Sequence, residues 1–398
     1  MKAVAWHGKQ DVRVDNVPDP TIQQPNDAIV RITTTNICGS DLHLYNVLGP
    51  FIDEGDILGH EPMGIVEEVG PEVTQIKAGD RVVLPFNISC GHCFMCDQRL
   101  YSQCETTQVH EYGTGAAFLG YTKLYGQVPG GQAEFLRVPQ AQFGPIKVPE
   151  EGDGMSDERF VYLSDVLPTS WQAVVYAGVP DGGSVAVFGL GPIGQMCCRI
   201  ARHKGYRVIA VDLVTERLDM ARRYGVEVVD ARDHDDGDIP GAIREMTDGR
   251  GPDSVIDAVG MEAHGSGGGR MAQALVGLLP DSAAQTAMEQ AGVDRLAALY
   301  ECIETVRRGG TLSISGVYGG TADPLNMLQL FDKQIQVRMG QANVKAWVDE
   351  IMPLLIDAND PLGVEDFATH KLPLDDASHG YEIFQNKQDG AIKVLLQP

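Results

Sequence analysis

Four cysteines, Cys90, Cys93, Cys96 and Cys104, stand on a tight ladder in the string SCGHCFMCDQRLYSQC. Two-residue gaps bring successive sulfurs to one point, and the longer last gap lets the chain loop back to close a fourth corner. Four thiolates around one Zn²⁺ make a closed tetrahedral site with no open position, the pattern of structural zinc. Iron–sulfur proteins also use two-residue cysteine gaps. Here the last gap is seven residues, and Glu105 rather than Pro follows the final cysteine. Structural zinc is therefore the preferred reading, ahead of a cluster or unligated thiols. Cys197, Cys198 and Cys302 fall in helical stretches and read as small buried hydrophobes.

A second set of reactive side chains is dispersed. NICGSDLH at 36–43 holds Cys38, Ser40 and His43, GHEPMGIVEEVG at 59–70 holds His60 and Glu61, and LSDVLPTSW holds Asp165. A thiolate, an imidazole and a carboxylate are good zinc ligands, and three protein ligands leave a fourth position for water or substrate. Spacing alone does not join residues so far apart. His60 also reads as a satisfied core histidine, and Asp165 as the cap of the helix that follows.

A third constellation is GLGPIG, with Gly189, Gly191, Pro192, Ile193 and Gly194. It follows a predicted strand and opens a predicted helix, the context that gives the motif meaning. Gly189 permits the tight turn, Gly191 lets backbone approach a pyrophosphate, and Gly194 lets the helix pack closely. The helix N-terminus then faces the phosphates. Asp212 ends the next strand, 18 residues beyond Gly194. A carboxylate there accepts from a ribose hydroxyl and repels a 2′-phosphate, which favours NAD over NADP, while nearby Arg217 argues the other way. A ligand-free glycine turn with a helix-capping Asp is the alternative.

These residues need elements to position them. The first 160 or so residues carry short β-like runs, among them Ala28–Ile32, Gly64–Val69, Arg81–Leu84 and Ala133–Val138, and read as a loop-rich, many-stranded domain. Ser164–Gly178 turns to a helical pattern. Strands at Ser184–Phe188, Arg207–Val211, Val226–Val229, Ser254–Ile256 and Thr311–Ser315 then alternate with helices, which means a parallel sheet with crossover helices. From about Gln334 short mixed elements return, ending in the strand-like AIKVLLQP.

The 398 residues are enough for two ordinary domains. A formal charge of −24 makes nucleic acid and anionic membranes poor partners. No apolar run reaches bilayer length. The start, MKAVAWHGKQDVRV, alternates like a strand and lacks a signal peptide's apolar core, so a cytoplasmic location is expected.

In their order along the chain, Cys38-Gly-Ser-Asp, Gly59-His60-Glu61 with Gly64 and Gly70, the cysteine ladder and GLGPIG resemble the zinc-dependent medium-chain alcohol dehydrogenases. The resemblance implies an α/β protein. A GroES-like β-rich catalytic domain (1–166 and 336–398, with a structural-zinc lobe at about 88–106) would enclose a Rossmann doubly wound parallel-sheet domain (167–335). It implies catalytic zinc on Cys38 and His60, with Asp165 at the third position and Glu61 beside it as an alternate ligand. Ser40 would accept the substrate proton and His43 pass it on. It also implies about two zinc ions per chain, NAD, a small alcohol or aldehyde substrate, and a homo-oligomer, by resemblance a tetramer.

CGSD, PFNISCGHC, GGQAEF and LSDVLPTSWQAVV are similar, more specifically, to the glutathione-independent formaldehyde dehydrogenase branch, in which Asp is the third ligand. In that branch an insertion covers the adenine and holds NAD tightly. Here Gly260–Arg308 is longer than a crossover helix needs, with an insertion at about 261–300 that includes GSGGG and the Ala-rich Met271–Leu299. A surface or oligomer-contact insertion is the alternative. Past about Gly320 the match to that branch weakens. A general alcohol, polyol or amino-alcohol dehydrogenase with exchanging NAD is the rival within the class. A non-enzymatic metal or electron-transfer protein is the rival outside it.

Overall fold

The computed structural model describes residues 1–234, 238–260, 296–318 and 325–398. The chain forms two compact units, Met1–Pro168 with Ala342–Pro398, and Thr169–Gln341.

The first unit begins with a hairpin of β1 (Lys2–Gly8) and β2 (Asp11–Asn16). β3 (Ala28–Ile37) is long and rich in β-branched residues, which suit a pleated, half-buried surface. It pairs antiparallel with β4 (Met63–Val69) and with β6 (Phe135–Val138). β5 (Arg81–Val83) joins the other side of β4, followed by β7 (Ile146–Lys147).

The second unit holds six parallel strands: β8 (Ser184–Phe188), β9 (Arg207–Asp212), β10 (Glu227–Asp230), β11 (Ser254–Asp257), β12 (Thr311–Ile314) and β13 (Gln336–Met339). Their order is β10-β9-β8-β11-β12-β13, so the winding reverses between β8 and β11. That reversal is the switch point where open α/β sheets bind ligands, beyond the carboxyl ends of the strands. β8 and β9 are buried along almost their whole length, as strands covered on both faces should be.

The chain then returns to the first unit, where β14 (His370–Pro373) and β15 (Val394–Gln397) complete the sheet β14-β15-β3-β4-β5-β7. One boundary is corrected. The expected return at 336 comes too early, because Gln336–Met339 pairs with β12 as the outer strand of the parallel sheet. All four of its residues are exposed, so it lacks the apolar run that marked the other parallel strands. GSGGG and most of Met271–Leu299 lie outside the described residues. Among the described residues, no helix is long and apolar enough to cross a membrane.

Candidate metal centres and cofactor loop

The register of the first sheet brings distant ligands together. β3 ends at Ile37, immediately before Cys38, and β4 begins at Met63, just after His60 and Glu61. Thr34 pairs with Met63 across the antiparallel ladder, so the exit of one strand lies beside the entrance of the other. Asp165 stands between a 3₁₀ turn (Tyr162–Ser164) and the helix Val166–Ala177. Donor atoms of Cys38, His60, Glu61 and Asp165 all lie within 4.8 Å of one another, and all four residues are buried. The Cys38 Sγ is 3.6 Å from Asp165 Oδ2, and the His60 Nε2 is 3.4 Å from the same oxygen.

Cys38 caps the helix Gly39–Asn46, and Asp41 reaches back to accept its N–H at 2.9 Å. The other Asp41 oxygen lies 3.0 Å from His60 Nδ1. A carboxylate there favours the proton on Nδ1 and leaves the Nε2 lone pair for a metal. Asp41 is held in turn by Gln132 Nε2 at 3.3 Å, and Gln132 Oε1 accepts from the Tyr381 hydroxyl at 2.9 Å. Gly59 is required ahead of His60. Its φ is +99°, and a Cβ would fall 2.6 Å from the Gln132 nitrogen.

Ser40 Oγ lies 3.2 Å from His60 Nε2 and 3.4 Å from Cys38 Sγ. His43, three residues on, shares its helix face. His43 is buried, only 8% exposed.

The electrostatics of this cluster fit a dication. Burial pushes the Cys38 thiol up to about 11, with Glu61 and Asp165 adding to the shift. Burial also raises Glu61, and Lys393 only partly offsets it. For His60, burial acts to lower the pKa, but Asp41, Cys38 and Asp165 hold it well above its ordinary value. A doubly charged ion would reverse the penalty on the anionic donors. Glu61 Oε1 is buried without a hydrogen-bond partner, another donor atom in reach of such an ion.

The cysteine ladder makes a separate pocket. The Sγ atoms of Cys90 and Cys96 are 4.0 Å apart, and those of Cys93 and Cys104 are 3.9 Å apart. Thiolates about 2.3 Å from a tetrahedral zinc stand roughly 3.8 Å from each other. Backbone N–H groups of Cys90, His92 and Glu105 point at the sulfurs of Cys104, Cys90 and Cys93. Burial works against the Cys93 thiolate, but amide donors from Cys96 and Glu105 win and hold it at about 6. The lobe is also tied to 342–346, where the chain re-enters the first unit. Ser102 donates to Asn343 Oδ1 from N–H and hydroxyl at 3.0 Å each, Arg99 donates to the Ala346 carbonyl, and neighbouring Asn87 donates to the Ala342 carbonyl at 2.6 Å.

In the second unit GLGPIG joins β8 to the helix Pro192–His203, with Pro192 at its first position. Gly189 has φ +85°, and a Cβ on Gly194 would lie 1.8 Å from its carbonyl oxygen. A Cβ on Gly191 would meet nothing within 4 Å, so the backbone faces open space there. Asp212 is buried at the end of β9. Its Oδ2 accepts from Leu190 N–H at 2.6 Å, and its Oδ1 from Leu213 and Val214 N–H at 2.7 and 2.8 Å. This carboxylate therefore anchors the glycine loop. Arg217 Nη1 lies 3.7 Å from it.

Residues 24–150 match the alcohol dehydrogenase GroES-like domain, and residues 192–266 match the zinc-binding dehydrogenase domain. The zinc-type alcohol dehydrogenase-like protein AdhB of Bacillus subtilis, itself uncharacterised, is 42% identical over the full length of both chains. The chain belongs to the zinc-type medium-chain alcohol dehydrogenase family. The glutathione-independent formaldehyde dehydrogenase of Pseudomonas aeruginosa is 38% identical over 67% of each chain. Alcohol dehydrogenase TADH from Thermus sp. ATN1 superposes with a TM-score of 0.82 at 34% identity, covering 100% of this chain and 99% of that one. The protein is thus a zinc-dependent, NAD(P)-linked alcohol dehydrogenase-type oxidoreductase, with two candidate zinc sites and a Rossmann cofactor domain.

Asp41, Gln132, Tyr381 and Lys393 were not among the expected site residues. Two of them left a trace in the sequence. Asp41 stands three residues after Cys38, at capping-box spacing, and Lys393 is the only charge in AIKVLLQP.

Proposed function

We propose that this chain transfers a hydride between a small alcohol or aldehyde hydrate and NAD, with the reacting oxygen held at Cys38, His60 and Asp165. The observation that carries this reading is the convergence of those donors, with Glu61, inside 4.8 Å. Zinc in that position would polarise a substrate oxygen and lower its pKa, as it lowers that of bound water from 15.7 to about 7. The remaining work falls to side chains. Cys38, His60 and Asp165 would hold the ion, and Glu61 would serve as an alternate donor. Asp41 keeps the His60 proton on Nδ1. Ser40 Oγ accepts the substrate proton and His43 passes it on, two roles that their shared helix face supports. Gly189, Gly191, Pro192, Ile193 and Gly194 would cradle the pyrophosphate. Asp212 would favour NAD, against the opposing pull of Arg217 beside it. The Cys90, Cys93, Cys96 and Cys104 lobe would hold structural zinc.

Within this class the reading is a formaldehyde dehydrogenase-like or dismutase-like activity with tightly held NAD. Asp165 as third donor and the likeness to the Pseudomonas aeruginosa enzyme support it. The alternative is a general alcohol, polyol or amino-alcohol dehydrogenase with exchanging NAD. A homo-oligomer is also proposed, through contact with a second copy. Leu328 (77% exposed) and Phe331 (85%) on the helix Met327–Asp332, and Met339 (62%) on the outer strand β13, are bare apolar side chains of the kind a second copy would cover.

The test is to denature the purified protein, measure released NAD and zinc, and assay NADH formation on formaldehyde and simple alcohols. Stoichiometric NAD with formaldehyde turnover supports the tight-cofactor reading. No bound NAD with alcohol turnover supports the alternative, and no turnover on any of them overturns both.

A further inference from the structure

One carboxylate ties together the loops that leave β11 and β12. Asp257 ends β11 and is fully buried. Its Oδ1 accepts from Val259 N–H at 2.9 Å and Gly260 N–H at 3.3 Å. Its Oδ2 accepts from the Tyr318 hydroxyl at 2.6 Å. Its backbone carbonyl accepts from Ser315 and Gly316 N–H at 2.9 and 2.8 Å.

The packing around it leaves no slack. A Cβ on Gly260, whose φ is +61°, would lie 2.6 Å from Val317 N, and one on Gly316 would lie 2.3 Å from Gly260 N. On the opposite side, a Cβ on Gly189 would lie 2.7 Å from Val259 Cγ2. Residues 258–260 are therefore held between the glycine loop and 315–317, at the carboxyl ends of strands beside the switch point. A dinucleotide lies there in an open α/β sheet.

The sheet itself does not need this arrangement. β11 and β12 already pair along their whole length up to Asp257 and Ile314. The Asp257–Tyr318 bond adds order beyond the strand ends, among residues 258–260 and 315–318. A fully buried carboxyl is costly to keep unless its lone pairs are used. Among the described residues its oxygens accept from Val259, Gly260 and Tyr318, all beyond the strand ends.

We propose that Asp257 and Tyr318 are positioning residues that set the spacing of the loops 258–260 and 315–317 for the cofactor. This rests on the dinucleotide reading of the second unit. Neither side chain takes part in the hydride or proton steps described above.

Tyr318→Phe keeps the half-buried ring and removes only the hydroxyl, so the fold should persist. In the full zinc-loaded chain, the NADH Kd by fluorescence titration and the KM for NAD should both rise about five- to tenfold, a part of what one bond to a charged acceptor is worth. The kcat at saturating NAD and the zinc content should stay at wild-type values, while the cofactor-free thermal midpoint falls modestly because Asp257 loses a partner. Asp257→Asn keeps a polar atom toward each loop and should bind NADH more tightly than Asp257→Ala. Wild-type NADH affinity in Tyr318→Phe would overturn the proposal. So would a lowered thermal midpoint with unchanged Kd, which marks a purely structural bond. If wild-type protein bound neither NAD nor NADP, the dinucleotide reading itself would fall, and this proposal with it.

Discussion

Lys393 and Glu61 form an ion pair in which neither side chain has any exposure. They are 332 positions apart, one beside β15 and the other at the entrance to β4. β15 pairs with β3 so that Val394 faces Ile37, which sets Lys393 beside the metal cluster. Lys393 also donates to the Ile37 carbonyl at 3.3 Å. The end of the chain thereby fixes a carboxylate next to Cys38 and His60.

Removing one member of a buried pair leaves an uncompensated charge, which costs about 3–5 kcal/mol. Lys393→Met should therefore lower unfolding stability by about that amount in urea denaturation. Glu61→Leu combined with Lys393→Met should recover most of it, because replacing both charges by apolar groups is often close to neutral. A double variant no more stable than Lys393→Met would contradict the pairing.

Cys38→Ser and His60→Ala should each abolish turnover in a folded protein. Bound zinc should fall from about two ions per chain to about one, since the closed cysteine site is independent. Unchanged activity in either variant would remove the site assignment.

Cys93→Ser should act differently. It opens the lobe that holds 342–346 through Ser102 and Arg99. A lower thermal midpoint is expected, with loss of the second zinc. A variant with wild-type midpoint and oligomeric state would rule out structural zinc at the ladder.

Zinc loading at the catalytic cluster should release protons. Without a cation the Cys38 thiol, pushed up to about 11 chiefly by burial, is protonated at neutral pH. Only the thiolate binds, so affinity should rise about tenfold per pH unit for each proton displaced, throughout the range below that pKa. Chelator competition at pH 6 and pH 7 reads this directly, and a flat response would exclude Cys38 as a ligand.

Asp212→Gly should weaken NAD binding without making NADP a good substrate. The carboxylate anchors Leu190 N–H as well as facing the proposed ribose site, so its loss frees the glycine loop. Comparison of KM for both cofactors tests this. NADP use rising to the level of NAD would show that the anchor is dispensable.

The doubly wound half was legible because its inner strands are continuous apolar runs and GLGPIG sits at a strand–helix junction. β13 was missed for the opposite reason, since QVRM is exposed at every position and resembles any surface strand. The cysteine ladder declared itself through spacing. Cys38, His60 and Asp165 did not, because the β3–β4 register that joins them is a tertiary fact, and resemblance alone linked them. Gln132 was hidden, and Asp41 and Lys393 left only a faint trace, for a related reason. Each is a polar residue made tolerable in the interior by a partner far away in sequence.

The reacting metal should lie at Cys38, His60 and Asp165, apart from the ladder. Anomalous scattering at the zinc edge from crystals of the zinc-loaded protein tests it most directly. Two peaks are expected, one enclosed by the four ladder sulfurs and one bounded by Cys38 Sγ, His60 Nε2 and an Asp165 oxygen. A peak at the ladder with none at Cys38, or a second peak elsewhere, would contradict it.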